Sequence, residues 1–186
     1  LTGKDLSDAE RMIAQNVTDS CSSAYMVASS YLKQGEYEKG KEIMMKVLDS
    51  CYDSIVSYWG DAEKLRTIAA AELAMYAGGE GDHEAIDWIE DRVKADAVTD
   101  RVAVRDAKGI LQGRTKLRDV VRFHKARAYK NSDMADKAKE VLNELSFASG
   151  KVFVDGEVHG LDDAIKKLQE DIAAVASALL KFFLAA

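Results

Sequence analysis

The chain has 186 residues, 47% of them hydrophobic and 31% charged. That is one domain's length, with enough apolar content to bury a core, and it excludes intrinsic disorder. Lys+Arg total 26 against 32 Asp+Glu, a net charge of −6, which excludes a generally nucleic-acid-binding composition. Proline is absent, where average usage is about 5%; loop-rich and all-β folds are hard to build that way, whereas a helical array does not miss it.

From the N-terminus, Ser7 and Glu10 form a capping-box pattern ahead of Met12, Ile13 and Val17, predicting a helix over 7–18. Helices follow over 20–34 (Tyr25, Ala28, Tyr31, Leu32) and 37–51 (Ile43, Met44, Val47, Leu48), with Gln34-Gly35-Glu36 as the break. Residues 53–77 read as a further long helix ending at Gly78-Gly79-Glu80-Gly81, and 82–98 resume the helical pattern. The segment 99–113 is ambiguous: Arg101 to Arg105 suits a strand or a helix, and Lys108-Gly109 and Gln112-Gly113 are turn signals. Residues 114–130 and 134–147 are helical on either side of Asn131-Ser132-Asp133. Asp155-Gly156 between Val152-Phe153-Val154 and Glu157-Val158 is a type I′ hairpin signature over 152–158. A last helix over 161–184 aligns Leu161, Ile165, Leu168, Ile172, Val175, Leu179 and Phe182 in a heptad stripe. No run of 18 apolar residues occurs, so no membrane span is expected. The chain opens at Leu1, which fits a removed leader, a removed larger N-terminal part or a trimmed end.

Three segments share one grammar. A tyrosine (31, 76, 129) is followed nine residues later by a small residue (Gly40, Ala85, Ala138) and four residues after that by a large apolar one (Met44, Ile89, Leu142). A helical hairpin explains it: the small residue lets the second helix cross close to the first, and the large groups fill the seam. The pattern resembles the tetratricopeptide repeat, most closely over Ser23 to Leu48, fairly over Ala126 to Leu145 and weakly in the middle segment. It departs from that family in its offsets of 45 and 53 residues, against about 34, and Tyr52 stands where the family has its helix-ending proline. The resemblance implies an all-α fold of antiparallel helical hairpins (about 20–51, 53–98 and 114–147) stacked as an irregular array in one domain over 1–186. A small β-hairpin near 152–158 and a capping helix over 161–184 complete it.

If the first hairpin turns near residue 36, Cys21 and Cys51 lie side by side at its open end. They then form a disulfide, which leans the localisation towards the periplasm or another exported setting; the alternative is two reduced, partly buried thiols.

Signals for catalysis are poor. His83, His124 and His159 are far apart, and Glu80-Gly-Asp-His83 lacks the companion ligands that a di-iron site needs. No phosphate-binding or nucleophile motif occurs. No enzyme, metal or cofactor is expected.

Residues 101–130 carry ten Lys/Arg and two acids, a net of +8, so the rest of the chain sums to −14. That remainder argues against nucleic acid. By the resemblance, first helices line a concave groove, placing Ser22, Tyr25, Ser29, Lys33, Ala70, Ala74, Phe123, Arg127, Lys130 and Asn131 along it. Arg127 and Lys130 would clamp an acidic peptide, and Tyr25 and Phe123 would give apolar contact. The alternative is a basic face that neutralises neighbouring acidic helices. The expected function is non-catalytic protein or peptide binding, as an adaptor or assembly component. Two alternatives stand beside it: a homo-oligomer subunit joined through the C-terminal helix, and an exported small-ligand-binding accessory protein. In the latter, Ala69, Ala70, Ala71, Ala74 and Ala77 would leave a cleft.

Overall fold

The computed structural model describes residues 21–51, 54–58, 61–94 and 96–185. The helix expected over 7–18, and Tyr52, lie outside the described residues.

Helices α1 (Cys21–Lys33) and α2 (Tyr37–Ser50) pack against each other along their length. Gly35 makes the turn at φ 80°, a conformation that costs glycine nothing. Gly40 is small for a packing reason: a Cβ there would sit 2.6 Å from Cγ of Leu32. Helices α3 (Leu65–Glu80) and α4 (His83–Val93) form the next pair, and α5 (Leu117–Asn131) and α6 (Ala135–Glu144) the third. Asp82 caps α4 by accepting the Ala85 N–H at 3.0 Å. Helix α3 packs on α1, α2 and α5, so it joins the first pair to the third. Tyr31, Tyr76 and Tyr129 fall near the ends of α1, α3 and α5, and Met44, Ile89 and Leu142 are buried in α2, α4 and α6.

The fold is mostly α, not all-α. The long helix expected from residue 53 is interrupted: β1 (Ile55–Tyr58) and β2 (Asp61–Lys64) pair as an antiparallel hairpin, and α3 starts only at Leu65. Ile55, Val56 and Tyr58 are β-formers, and their apolar spacing over so short a run does not separate strand from helix. The helix expected over 82–98 ends at Val93. The ambiguous segment 99–113 holds most of a second hairpin, β3 (Arg101–Arg105) with β4 (Leu111–Lys116), bulged between Val104 and Arg105; β4 takes residues 114–116 from the helix expected over 114–130, which starts at Leu117. The third, β5 (Lys151–Val154) with β6 (Glu157–Gly160), turns through Asp155 at φ 52° and Gly156 at φ 84°, as a type I′ turn requires. Helix α7 (Leu161–Ala185) follows.

The three hairpins are equivalent. Each ends where an odd-numbered helix begins, at Leu65, Leu117 and Leu161, all fully buried. Each base is closed by that leucine's N–H donating 2.9 Å to the carbonyl just ahead of the first strand, at Ser54, Asp100 and Gly150. The repeating unit is therefore two helices plus a β-hairpin, which accounts for its length.

Two cores meet at α5. Leu117, Val121 and Ala128 close a core shared with α1 to α4, whereas Phe123, Ala126 and Tyr129 face one built with α6, β5–β6 and α7. In α7, Ile165, Leu168 and Ile172 are buried and Val175 is exposed; the side chains of Leu179 and Phe182 lie outside the description. Among the described residues no helix is long and apolar enough to cross a membrane.

Two rows of contacts bind successive units. At the helical turns, Tyr37 Oη and Lys41 Nζ each donate to Asp82 Oδ2 at 2.9 Å, and Asn131 Nδ2 donates to the Gly78 carbonyl at 2.9 Å. At the hairpins, Arg114 of β4 pairs with the buried Glu63 of β2 at 2.7 Å, and Thr115 of β4 bonds the Lys151 backbone of β5.

Candidate binding cleft on the first-helix face

Helix α3 contacts α1 on one side and α5 on another, and β3 packs on α3. Between them lies a cleft of about 290 Å³. Ile68, Ala71 and Met75 of α3, Val104 of β3 and Phe153 of β5 make its apolar wall. Ala69, Ala70, Ala74 and Ala77 are buried in helix contacts, so Ala71 is the one member of the alanine cluster on the lining.

Glu72 sits in this wall as a half-buried carboxylate. Tyr25 Oη donates to its Oε2 and Ser29 Oγ to its Oε1, the latter at 2.5 Å. The Tyr76 phenol, also on the lining, has its pKa raised by burial and by the negative charge of Glu72.

His124 of α5 closes the floor and is 1% exposed. Arg127 Nη1 lies 3.2 Å from its Nδ1. Guanidinium only donates, so Nδ1 accepts and the imidazole proton sits on Nε2. Burial, then the Arg127 charge, holds the His124 pKa well below its ordinary value of 6.5. The unfolded chain therefore binds a proton that the folded one refuses, and stability is lost as pH falls below about 6.5. Thermal unfolding followed from pH 7 to pH 5 is expected to show this loss, up to about 1.4 kcal/mol per pH unit. His124→Gln, which keeps an acceptor for Arg127, should flatten that slope; an unchanged slope would assign it to other groups.

A second, larger cleft of about 740 Å³ lies between α5, β5–β6 and α7. Arg127, Lys130 and Lys167 line it together with Asp155, Asp163 and Asp171.

The sequence-predicted residues divide between the two clefts. Tyr25 and Ser29 are buried and hold Glu72, and Lys33 is on the first lining. Phe123, Arg127, Lys130 and Asn131 border the second, with Phe123 2% exposed and packed in the core. Asn131 also donates to the carbonyls of Gly78 and Gly79. Ser22 is exposed, and Ala70 and Ala74 are buried. The sulfurs of Cys21 and Cys51 lie 2.17 Å apart, at bonding distance.

The basic segment is largely engaged within the fold. Arg122 reaches Glu144 at 2.8 Å, Lys125 reaches Asp87 and Glu90 at 2.7 and 2.6 Å, and Arg127 reaches Asp155 at 2.9 Å. With Arg114 on Glu63, these pairs tie α5 and β4 to their acidic neighbours. His83, from the Glu-x-x-His pattern, stacks on Tyr129 with ring centroids 5.0 Å apart.

The residues missed from sequence are Glu72, Tyr76, Val104 and Phe153. One signal for the hairpins was present: Lys-Leu-Arg occurs at 64–66 and again at 116–118, each time where a strand hands over to a helix.

The family model for the tetratricopeptide repeat matches residues 22–53, the span of α1 and α2. Over that span the mostly helical chain is similar to the tetratricopeptide repeat. No protein of known function and no solved structure matches it significantly.

Proposed function

We propose that the chain is a non-catalytic protein- or peptide-binding module, working as an adaptor or assembly component. The observation that supports this is the cleft itself: three first helices and two β-strands converge on one partly apolar depression with a fixed carboxylate in its wall. Such a surface suits an inserted segment of another chain. An acidic-peptide clamp through Arg127 and Lys130 is less favoured, because Arg127 is already held by Asp155.

Ala71→Trp should fill the cleft from a lining position at the border of the first core. Wild-type protein immobilised in native extract is expected to retain a partner that the variant loses, with equal helicity by circular dichroism. Equal retention would discard the cleft as the binding surface.

A small-ligand reading is favoured by the volume, near the lower end of the roughly 300–1,000 Å³ of ligand pockets. Native mass spectrometry of freshly purified protein decides between them: a bound small mass, lost in Ala71→Trp, would replace the partner chain as occupant.

A further inference from the structure

We propose that the cleft takes up a lysine or arginine side chain of a partner polypeptide, with Glu72 as its counter-ion. This rests on the binding function proposed above and reverses the partner charge that the basic segment suggests.

Glu72 is a half-buried charge of the cleft. Both of its oxygens are oriented by hydroxyl donors from α1, Tyr25 and Ser29, and among the described residues no Lys or Arg pairs with it. The other charged groups of the lining are placed differently. Asp106 is engaged by the N–H groups of Lys108 and Ile110, both at 2.9 Å. Arg105 Nη1 donates to the Gly109 carbonyl at 3.1 Å. Lys33 is exposed on the last turn of α1.

A carboxylate oxygen accepts about two hydrogen bonds, so each Glu72 oxygen keeps capacity beyond its single hydroxyl. A half-buried carboxylate with two hydroxyl donors but no cation has its desolvation only partly offset. Two hydroxyls that fix its orientation pre-organise it for a cation that arrives later. The surrounding wall of Ile68, Met75, Val104 and Phe153 suits the aliphatic stem of a lysine or arginine. The net charge of −6 also draws basic partners.

The test is titration of the isotopically labelled full chain, followed by NMR, with acetylated and amidated pentapeptides of alanine bearing Lys, Arg, norleucine or Glu at the centre. The Lys and Arg peptides should shift the amides of Tyr25, Glu72 and Tyr76 saturably, and added salt should weaken them. The norleucine and Glu peptides should bind at least roughly tenfold more weakly. Glu72→Gln keeps the volume and an acceptor, and should lower Lys-peptide affinity at least roughly tenfold at unchanged helicity. Equal binding of norleucine, no saturable shift, or salt-insensitive binding by wild type would each overturn the proposal. So would a Glu72→Gln variant that melts earlier yet binds as well, since Glu72 would then be only a tie between α1 and α3. If the Lys and Arg peptides fail while Ala71→Trp still abolishes partner capture, the cationic reading falls and the binding module stands; if both fail, both fall.

Discussion

Reduction of the Cys21–Cys51 bond is expected to lower stability by about 3.5 kcal/mol. The two cysteines are separated by 30 residues, and closing a loop of that length removes this much chain entropy from the unfolded state on the loop-closure account. For a chain of this size that corresponds to a fall in Tm of roughly 7–14 °C. The location concentrates the effect. Cys21 is the first residue of α1 and Cys51 follows the last residue of α2, with Cα atoms 5.8 Å apart. The bond thus staples the open end of the hairpin whose other end is closed by Gly35. Without it, the first residue of α1 loses its covalent tie to α2, and hydrogen exchange should rise first in Ala24, Val27 and Ala28. Calorimetry with and without reductant, paired with Cys21→Ala/Cys51→Ala, measures the change. A double variant that melts with wild type under non-reducing conditions would show that the bond contributes nothing.

The described helices were legible because they carry a two-sided pattern with stops. Gln34-Gly35-Glu36 and Asn131-Ser132-Asp133 lie at observed turns, whereas the break expected over Gly78-Gly79-Glu80-Gly81 narrows to Gly81, since α3 runs on through Glu80. The β-hairpin at 151–160 was legible from Asp155-Gly156, a pair of residues that tolerates φ > 0 at both positions. The first two hairpins were not. In 55–64 the strands are four residues each, too short for alternation to be told from helical spacing. In 101–116 the bulge after Val104 breaks the period-two pattern, and Gly113 replaces a side chain that would have shown it.

The cleft was legible by half. Tyr25, Ser29 and Lys33 follow from the helical face of α1, where the repeat match is best. Glu72 was invisible because one glutamate in an alanine-rich helix looks like a solvated surface residue; only the approach of α1 to α3 brings two hydroxyls onto it. The basic stretch left two readings open, a groove clamp or a face that neutralises acidic neighbours, and the fold favours the second: Arg114, Arg122, Lys125 and Arg127 each meet an acid from another element. Charge density in sequence says nothing about which partners the fold supplies.

Thr115→Val should cost about 3 kcal/mol, although it changes neither shape nor volume. Thr115 is fully buried, and its Oγ1 donates to the Lys151 carbonyl at 2.7 Å and accepts the Lys151 N–H at 2.8 Å. Valine leaves both backbone groups without a partner, at roughly 1–3 kcal/mol each. The site admits no easy relaxation. Gly150, next to Lys151, has φ 118°, and a Cβ there would lie 2.4 Å from Thr115 Oγ1. The two hairpins therefore approach as closely as a glycine allows, and the hydroxyl occupies the space that any other residue at 150 would need. Because the third hairpin delivers Phe153 to the cleft, loosening it should also weaken whatever the cleft holds. Thr115→Ser keeps the hydroxyl and should lose no more than about 1 kcal/mol, chiefly from the missing methyl. Thermal unfolding of the pair, with hydrogen exchange read at the Lys151 amide, tests the tie: equal losses for serine and valine would mean that packing, and not the hydroxyl, couples the hairpins.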